Sequence, residues 1–344
     1  MTQVVLASLA AADPMGQQLY ESQLLAHLPA TGLRVRACRV GSMRSTLPAD
    51  ARAPLHALSQ APAAVQHVAA RFLYGSAELV HRCDLRLPAA AREVVTVHDL
   101  APLRFTDEGS IPARAADSLR RARAVITPSQ FAADEVRELY GVDARVIHNG
   151  LDPAVWDDPA PDALAGVDVP ARFVLQSGGV TKRKNLGALA DAWNLVSAAR
   201  PDVWLVLCGT PDSRRTALFA DLPRVRLLGK VARPAHLALM SAAEVVVVPS
   251  TYEGFGFPAL EAMARGTAVV AANCASLPEI CGEAALLAEP TGDGLAEALS
   301  SVLGDETRRA DLAARGPAQA KPFTWERSAR AHAEVYQVAS SRGR

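Results

Sequence analysis

Short apolar runs alternate with helical patterns along most of the chain, and this alternation restricts the fold more than any other feature. The runs at residues 3–9, 93–99 and 244–250 have the length and composition of strands buried on both faces. Helical patterns with one apolar face lie between such runs, as at residues 185–199. Because parallel strands need a crossover between them, the pattern predicts doubly wound α/β sheets.

The pattern stops and restarts once, which divides the chain into two domains. Residues 151–171 are rich in proline and aspartate, as in a connection between domains. A chain of 344 residues is also longer than one hydrophobic core ordinarily serves. We predict an N-terminal domain over 1–160, a C-terminal domain over 161–322, and a final helix within 323–344 that packs back on the first domain. The cleft between two such domains is the expected ligand site.

Composition and charge argue against several classes of function. Basic and acidic residues number 36 each and aromatic residues make up 5%, so no nucleic-acid partner is expected. The five cysteines lack C-x-x-C spacing and the histidines form no H-E-x-x-H, so we expect reduced thiols and no bound metal. No basic signal-peptide region and no apolar run of about 18 residues occurs, which predicts a cytoplasmic protein.

The stretch STYEGFGFPALEAMARG, residues 250–266, has the most specific chemistry. It follows a buried strand and leads into a helix whose first turn holds Pro258, a favourable position for proline. Gly254 and Gly256 allow backbone N–H groups to approach an anion, and the N-terminus of the helix adds partial positive charge. The stretch therefore predicts a phosphate-binding loop.

Two glutamates, Glu253 and Glu261, flank this loop. Ionised carboxylates accept hydrogen bonds from hydroxyl groups and would repel a phosphate that they faced. A nucleotide sugar supplies hydroxyls on both sides of its diphosphate, so one glutamate for the hexose and one for the ribose explains the spacing. Two alternatives stay open: a dinucleotide fingerprint over Gly254, Gly256 and Ala259, and a plain strand–helix turn with surface glutamates.

With these residues identified, the chain resembles the retaining glycosyltransferases of family 4, which have two Rossmann-like domains in the GT-B fold with an interdomain cleft. Glu253 to Glu261 matches that family's E-x7-E motif. The resemblance covers most of the chain and is strongest from about residue 93 to 335. It is carried by VVTVHDLAPLRF (94–105), AVITPSQFAADEV (124–136), VIHNGLD (146–152), GGVTKRKNLGALADAW (178–193), SLPEICGEAALLAEP (276–290) and FTWERSAR (323–330).

The resemblance implies a role for each residue that matches the family pattern. Glu253 would accept hydrogen bonds from hydroxyls of the donor hexose, and Glu261 from the ribose. Arg183 and Lys184 would neutralise the charge that builds up on the leaving phosphate. His98 would face the donor sugar and the acceptor as a further catalytic residue. The other donor-site residues would be Gly178, Gly179, Gly254, Phe255, Gly256, Phe257 and Val231, the last near the base; Gly16 and Asp99 would contact the acceptor.

The sequence departs from the family pattern at both of these sites. Gly16 stands alone where many members have a Gly-Gly loop. Many members also have an arginine directly after the glycine that ends the first strand of the C-terminal domain, and this sequence has Gly178-Gly179 instead. Residues 41–75 show no clear period, and we expect short helices and loops there that shape the acceptor pocket.

The resemblance implies retaining, metal-independent hexosyl transfer without a cofactor. GDP-mannose is the first expected donor and a UDP-sugar the second; the acceptor would be a glycan, a lipid-linked molecule or a small metabolite. A sugar-nucleotide 2-epimerase and a nucleotide-binding protein without turnover are the alternatives. The arginines at 114, 120, 121 and 123 leave two interpretations open, a solvated face or peripheral docking to anionic lipid at the inner membrane face.

Overall fold

The fold is seen in a computed structural model that describes residues 2–11, 16–160 and 162–341. It contains two compact units: unit 1, Met1–Gly150 with Phe323–Arg344, and unit 2, Leu151–Pro322. The first boundary therefore precedes the predicted one at residue 160. The reason is that the segment after Gly150 folds with unit 2, where the Val155 carbonyl accepts a hydrogen bond from Arg265 Nη1 at 3.0 Å.

Strands and helices alternate in both units. The strands are β1 Gln3–Leu9, β2 Arg34–Ser42, β3 Ala51–Ala53, β4 Leu79–Arg82, β5 Glu93–Thr96, β6 Ala124–Thr127, β7 Arg145–Val146, β8 Phe173–Ser177, β9 Trp204–Cys208, β10 Val225–Gly229, β11 Val245–Val248, β12 Ala268–Ala272 and β13 Leu286–Ala288. The helices are α1 Gly16–His27, α2 Leu55–Gln60, α3 Ala63–Tyr74, α4 Ala115–Arg121, α5 Gln130–Tyr140, α6 Leu186–Ala199, α7 Ser213–Phe219, α8 Arg233–Ala242, α9 Phe257–Ala264, α10 Leu277–Cys281, α11 Gly292–Gly304, α12 Glu306–Ala320 and α13 Trp325–Ser341.

Each unit is built on one parallel sheet. The strand order is β3-β2-β1-β4-β5-β6-β7 in unit 1 and β10-β9-β8-β11-β12-β13 in unit 2. The direction in which strands are added reverses between β1 and β4, and again between β8 and β11. The prediction of two doubly wound α/β domains in tandem is confirmed. In sheets of this kind, ligands bind outside the carboxyl ends of the strands at these switch points.

Apolar side chains that the sequence placed on one helix face form the core of unit 2. Leu186, Leu189, Trp193 and Val196 of α6 are all buried, and they lie in one hydrophobic cluster with the strands. The indole N–H of Trp193 donates to the Pro223 carbonyl at 2.9 Å, so the buried ring leaves no unpaired polar atom. The core fixes the strand ends from which the site loops leave.

The sequence underestimated the regular structure of residues 41–75. This segment contains β3, α2 and the 12-residue helix α3. The Ala-rich composition hides the period of α3, and prolines at both helix N-caps, Pro54 and Pro62, look like loop residues although they precede helices. The last strand of unit 1, β7, has only two paired residues. Ser129 caps the N-terminus of α5, and its Oγ accepts a hydrogen bond from Ala132 N at 3.2 Å.

The final helix α13 belongs to unit 1 and packs against α1. Gly150 of unit 1 lies under its first residue, where an added Cβ would come within 2.2 Å of the Trp325 backbone nitrogen. Across the three described ranges, no helix has both the length and the apolar composition needed to cross a membrane.

Candidate active site

Most of the predicted donor-site residues lie in the loops that follow β8 and β11, the two strands at the switch point of unit 2. β8 is followed by Gly178 and Gly179 and then by a 3-10 turn, Lys182–Lys184. β11 is followed by the loop that carries Glu253. The two strand ends are joined directly, because Thr251 N donates to the Arg183 carbonyl at 2.8 Å. Pairing of these strands therefore brings together residues about 70 positions apart in the sequence.

Asn185 holds this junction in place. It adopts φ 53°, a left-handed conformation that asparagine tolerates better than most residues. Its side-chain Nδ2 donates to the carbonyls of Pro249 at 3.0 Å and Pro290 at 2.9 Å, which ties the basic turn to two other loops. The sequence reasoning did not single out Asn185; its position directly after three basic residues and before a helix was the available signal.

Three predicted catalytic residues form one nearly buried cluster. Glu253 Oε2 accepts from Arg183 Nη1 at 2.9 Å, and Glu253 Oε1 accepts from Lys184 Nζ at 2.6 Å. Only 8%, 15% and 11% of the Glu253, Arg183 and Lys184 side chains are exposed. Burial by itself raises the pKa of Glu253, but the charges of Lys184 and Arg183 outweigh it and hold that pKa below its ordinary value. The carboxylate is ionised, and the cluster has one net positive charge.

The second glutamate of the motif has a separate cation. Glu261 Oε1 accepts from Arg233 Nη2 at 2.6 Å, and the Arg233 Nε lies 3.7 Å from Asp152 Oδ2. Burial tends to lower the pKa of Arg233, but the hydrogen bond and charge of Glu261 raise it overall. Arg233 begins α8 two residues after the predicted base-site residue Val231, which is partly buried. Sequence reasoning missed Arg233 because its partners are distant in the chain.

The glycine-aromatic loop ends in an uncapped helix N-terminus. Gly256 is the N-cap of α9, with φ 102°, and no side chain caps the helix there. An added Cβ at Gly256 would meet Leu277 Cδ2 at 3.0 Å, so both backbone conformation and space favour glycine. Gly254 and Phe255 are buried, and the Phe255 ring packs edge-on against the Phe257 ring, with centroids 5.1 Å apart. Gly256 therefore offers no side-chain acceptor to the first backbone N–H groups of α9.

Two predicted residues of unit 1 line a cavity of about 210 Å³ at the carboxyl ends of β4 and β5. His98 lies in its wall, with Nε2 buried and without a hydrogen-bond partner in the described parts of the chain. Burial lowers the pKa of His98 to about 4, so its imidazole is neutral near pH 7. Asp99 also lines the cavity, and its Oδ1 accepts from Ala101 N at 3.1 Å. Further polar groups in its lining are those of Gln17, Asp84, Arg86, Glu108 and Ser110.

Gly16, the third predicted residue of unit 1, is the exposed first residue of α1. Residues 12–15, the rest of the loop in which the acceptor site was expected, lie outside the described residues.

Three of the four clustered arginines donate to carbonyls within unit 1. Arg114 Nε donates to Gln60 O at 2.9 Å, Arg120 Nε donates to Tyr140 O at 3.2 Å, and Arg123 donates to Ala339 O. These bonds give the arginines a structural role without a lipid partner.

Comparison with known proteins identifies the family. A model described as Glycosyltransferase Family 4 matches residues 11–155, and one described as Glycosyl transferases group 1 matches 171–305. Alpha-maltose-1-phosphate synthase of Mycolicibacterium smegmatis is 32% identical over 289 residues, which cover 72% of this chain and 73% of that protein. The chain belongs to glycosyltransferase family 4.

Two further relatives agree with this family 4 assignment. The O-antigen chain mannosyltransferase B of Escherichia coli is 34% identical over 228 residues, covering 61% of this chain and 59% of that protein. The structure of sucrose-phosphate synthase from Thermosynechococcus elongatus has a TM-score of 0.78 at 25% identity and covers 98% of both chains. The GT-B fold prediction is confirmed. The family assignment removes the dinucleotide alternative, and these three relatives are a transferase and two synthases rather than epimerases.

One buried residue beside the predicted donor-site glycines was indicated by no sequence motif. Arg215 of α7 is 3% exposed, and its guanidinium donates to the carbonyls of Gly178, Gly179 at 3.2 Å and Thr210 at 3.3 Å. No carboxylate of the described residues forms an ion pair with it, and burial lowers its pKa below the ordinary value. Arg215 thus supplies a buried positive charge beside the glycine pair, where the sequence lacks the arginine of many family members.

Replacing Arg215 with lysine is expected to weaken nucleoside diphosphate binding about tenfold and to lower the free energy of unfolding by about 2 kcal/mol. A lysine ammonium has a single nitrogen and cannot donate to all three carbonyls as the two terminal nitrogens of the guanidinium do. The Gly178–Gly179 turn therefore loses hydrogen bonds that stabilise it. Titration calorimetry and denaturant unfolding measure the two effects. Arg214→Lys is the matched control, because the Arg214 side chain is 54% exposed on the same helix and should change neither quantity. Equal affinities for the Arg215 and Arg214 variants would contradict this assignment.

Proposed function

We propose that this family 4 protein transfers a hexose from a nucleotide sugar to an acceptor hydroxyl, with retention of configuration and without a metal ion. The observation that carries the proposal is the cluster of Glu253, Arg183 and Lys184 at the unit 2 switch point. It places two cations beside an ionised carboxylate that can accept hydrogen bonds from hydroxyl groups. The cluster is close in sequence to the N-terminus of α9, which has no side-chain cap. These are the groups that a sugar diphosphate requires at its two ends.

The proposed roles follow from where charge develops. Breaking the bond between the anomeric carbon and the phosphate oxygen leaves negative charge on the diphosphate, which Arg183, Lys184 and the N–H groups of α9 stabilise. As the diphosphate takes over the two cations, Glu253 becomes available for hexose hydroxyls. The acceptor oxygen forms the new bond to the anomeric carbon on the same face, and its proton passes to the departing phosphate oxygen.

Glu253 is not assigned as a covalent nucleophile. Its two oxygens are each held by a cation, and its pKa is lowered, so its arrangement favours electrostatic and hydrogen-bonding work. Glu261, paired with Arg233, is assigned to the ribose, and Val231 lies at the proposed base site.

The unit 1 cavity is assigned to the acceptor. His98 has a neutral imidazole with an unpartnered Nε2 in the cavity wall, which suits hydrogen bonding to a hydroxyl. Mannose is the first choice of donor sugar because the Escherichia coli relative is named a mannosyltransferase. The chain spans 59% of that relative's length. We propose the donor, the acceptor and a cytoplasmic location together with the reaction.

Thermal unfolding in the presence of GDP, UDP and ADP tests the donor site first. One diphosphate at 100 times its Kd should stabilise the protein by about 2.7 kcal/mol, and the preferred base identifies the donor class. Transfer from the matching nucleotide sugar should then proceed equally with and without EDTA and give a product with the anomeric configuration of the donor. Absence of a shift with all three diphosphates, or loss of transfer in EDTA, would contradict the respective part of the proposal.

A further inference from the structure

A continuous chain of hydrogen bonds connects α13 with the strand that leads to His98. His332 Nδ1 lies 2.8 Å from the Ser328 carbonyl, and His332 Nε2 lies 2.8 Å from the Tyr20 hydroxyl. The Tyr20 hydroxyl is also 2.8 Å from Thr96 Oγ1. Because these side chains are buried, each polar atom depends on its protein partner.

The chain continues through a second histidine and returns to α13. His81 Nε2 lies 2.7 Å from Thr96 Oγ1, and His81 Nδ1 lies 2.6 Å from the Tyr336 hydroxyl. Tyr336 stands one helical turn beyond His332 on the same face of α13. The network therefore joins α1, β4, β5 and α13.

The direction of every hydrogen bond in this network is determined. A carbonyl only accepts, so His332 carries its proton on Nδ1 and its Nε2 accepts from the Tyr20 hydroxyl. The Tyr20 oxygen then accepts from Thr96, which leaves the Thr96 oxygen to accept from His81 Nε2–H. His81 Nδ1 accepts from Tyr336. Both imidazoles are neutral, in agreement with burial, which lowers the pKa of His332 to about 4 and that of His81 well below its ordinary value.

The network ends against the proposed acceptor-site histidine. The Tyr20 ring packs edge-on against the His98 ring, with centroids 4.7 Å apart and an interplanar angle of 85°. Thr96, the last residue of β5, is two residues before His98 on the same backbone. His98 has no hydrogen-bond partner for Nε2 in the described residues, so packing against neighbours such as the Tyr20 ring positions its imidazole.

We propose that His332 is a positioning residue for His98. By accepting a hydrogen bond from the Tyr20 hydroxyl, His332 fixes the Tyr20 ring against His98 and holds that imidazole in the wall of the unit 1 cavity. A kinetic consequence rests on the proposed function, but the orientation of the rings does not.

Two amide substitutions separate the bonds that His332 makes. In His332→Gln, the amide oxygen can occupy the position of Nε2 and still accept from Tyr20. In His332→Asn, the shorter amide matches Nδ1 and keeps only the contact with the Ser328 carbonyl. His332→Leu removes both bonds, and the unfolding midpoint of each variant identifies any that has lost the fold.

The first readout uses the protein without substrate. Long-range ¹H–¹⁵N spectra should show His332 protonated on Nδ1 and His81 protonated on Nε2 in the wild type. The His98 ring resonances should shift in the Asn and Leu variants and in Tyr20→Phe, but stay near their wild-type positions in the Gln variant. A His332 ring protonated on Nε2, or equal His98 shifts in the Gln and Asn variants, would overturn the proposal.

The second readout is kinetic. With the donor and acceptor in hand, kcat should fall about tenfold in the Asn and Leu variants and remain within about threefold of wild type in the Gln variant. KM for the donor should not change, because the proposed donor site lies in unit 2. Unchanged kcat in folded Asn and Leu variants would overturn the positioning role. A wild type without transferase activity would contradict the proposed function, while the spectra would still decide the proposal about His332.

Discussion

Replacing Glu253 with alanine should lower kcat by about 10²–10³-fold while nucleoside diphosphate binding stays at least as strong as in the wild type. The two effects have opposite signs because Glu253 is both the proposed hexose contact and the present partner of Arg183 and Lys184. Its removal leaves two nearly buried cations without their anion. A diphosphate that enters the variant no longer competes with a carboxylate for them.

Glu253→Gln separates charge from hydrogen bonding. The amide oxygen still accepts from a hydroxyl, so this variant should keep more transfer activity than the alanine variant, although it frees the two cations in the same way. Titration calorimetry with the nucleoside diphosphate and initial-rate measurements determine Kd and kcat for each protein.

Glu244→Ala is the matched control for loss of one carboxylate. Glu244 directly precedes β11, at the opposite end of the strand from Glu253, and pairs with Arg172. Its removal should leave kcat and Kd unchanged. Turnover in Glu253→Ala comparable with that of the Glu244 variant would remove Glu253 from the proposed mechanism, and a loss of diphosphate affinity would refute the competition between carboxylate and phosphate.

The sequence predicted the scaffold of the site because local patterns encode it. Four consecutive β-branched valines in β11 indicate a buried strand, and Gly256 followed by Pro258 indicates a turn into a helix. The apolar face of α6 was likewise readable from its period. In each case the information lies within a few neighbouring residues, and the parallel sheet follows from the alternation of such segments.

The partners of the charged residues could not be predicted in the same way. The sequence placed Glu253 at the hexose and Arg183 and Lys184 at the phosphate, but it contains no signal that these three contact one another in the free protein. Arg215 looks like an ordinary surface residue beside Arg214, yet it is buried under the glycine pair. Pairing of this kind depends on which strand ends meet, and the sheet order decides that.

The histidine network shows the same limit over a longer distance. Tyr20 and His332 are 312 positions apart and touch only because α13 belongs to unit 1. His81 looked like one more residue of an apolar strand. The role of such a buried polar group can be recognised only from its hydrogen-bond partners. In this network the partners lie in four separate elements, α1, β4, β5 and α13.

The buried imidazoles of His81 and His332, together with the half-buried one of His98, should make folding stability fall steeply as the pH is lowered from about 6.5 to 4.5. Burial lowers the pKa of His98 and His332 to about 4 and that of His81 well below its ordinary value, whereas all three regain the ordinary value in the unfolded chain. Below pH 6.5 the unfolded chain therefore binds protons that the folded protein does not, and each such group removes about 1.4 kcal/mol of stability per pH unit.

One carboxyl group acts in the opposite direction. Burial raises the pKa of Glu21 to about 7, so the folded protein binds a proton there before the unfolded chain does and gains stability as the pH falls. The other ionisable groups near the three imidazoles do not cancel the effect: Tyr20, Tyr336 and Cys83 have pKa values raised by burial, and Asp84 moves the pKa of His98 only partly back upward. Three imidazoles against one carboxyl contribute a net loss of about 3 kcal/mol per pH unit, and His236, whose pKa burial also lowers, acts in the same direction.

Denaturant unfolding between pH 7.5 and 4.5 measures this slope. His332→Gln carries one imidazole fewer while keeping the acceptor for Tyr20, so its slope should be smaller than that of the wild type by about 1.4 kcal/mol per pH unit. His56→Gln is the control, because His56 is exposed in α2 and should leave the slope as it is. A free energy of unfolding that stays constant from pH 7 to 5, or an equal slope in the His332 variant, would mean that these histidines are solvated and charged in the folded protein, and the hydrogen-bond directions assigned to the network would then be wrong.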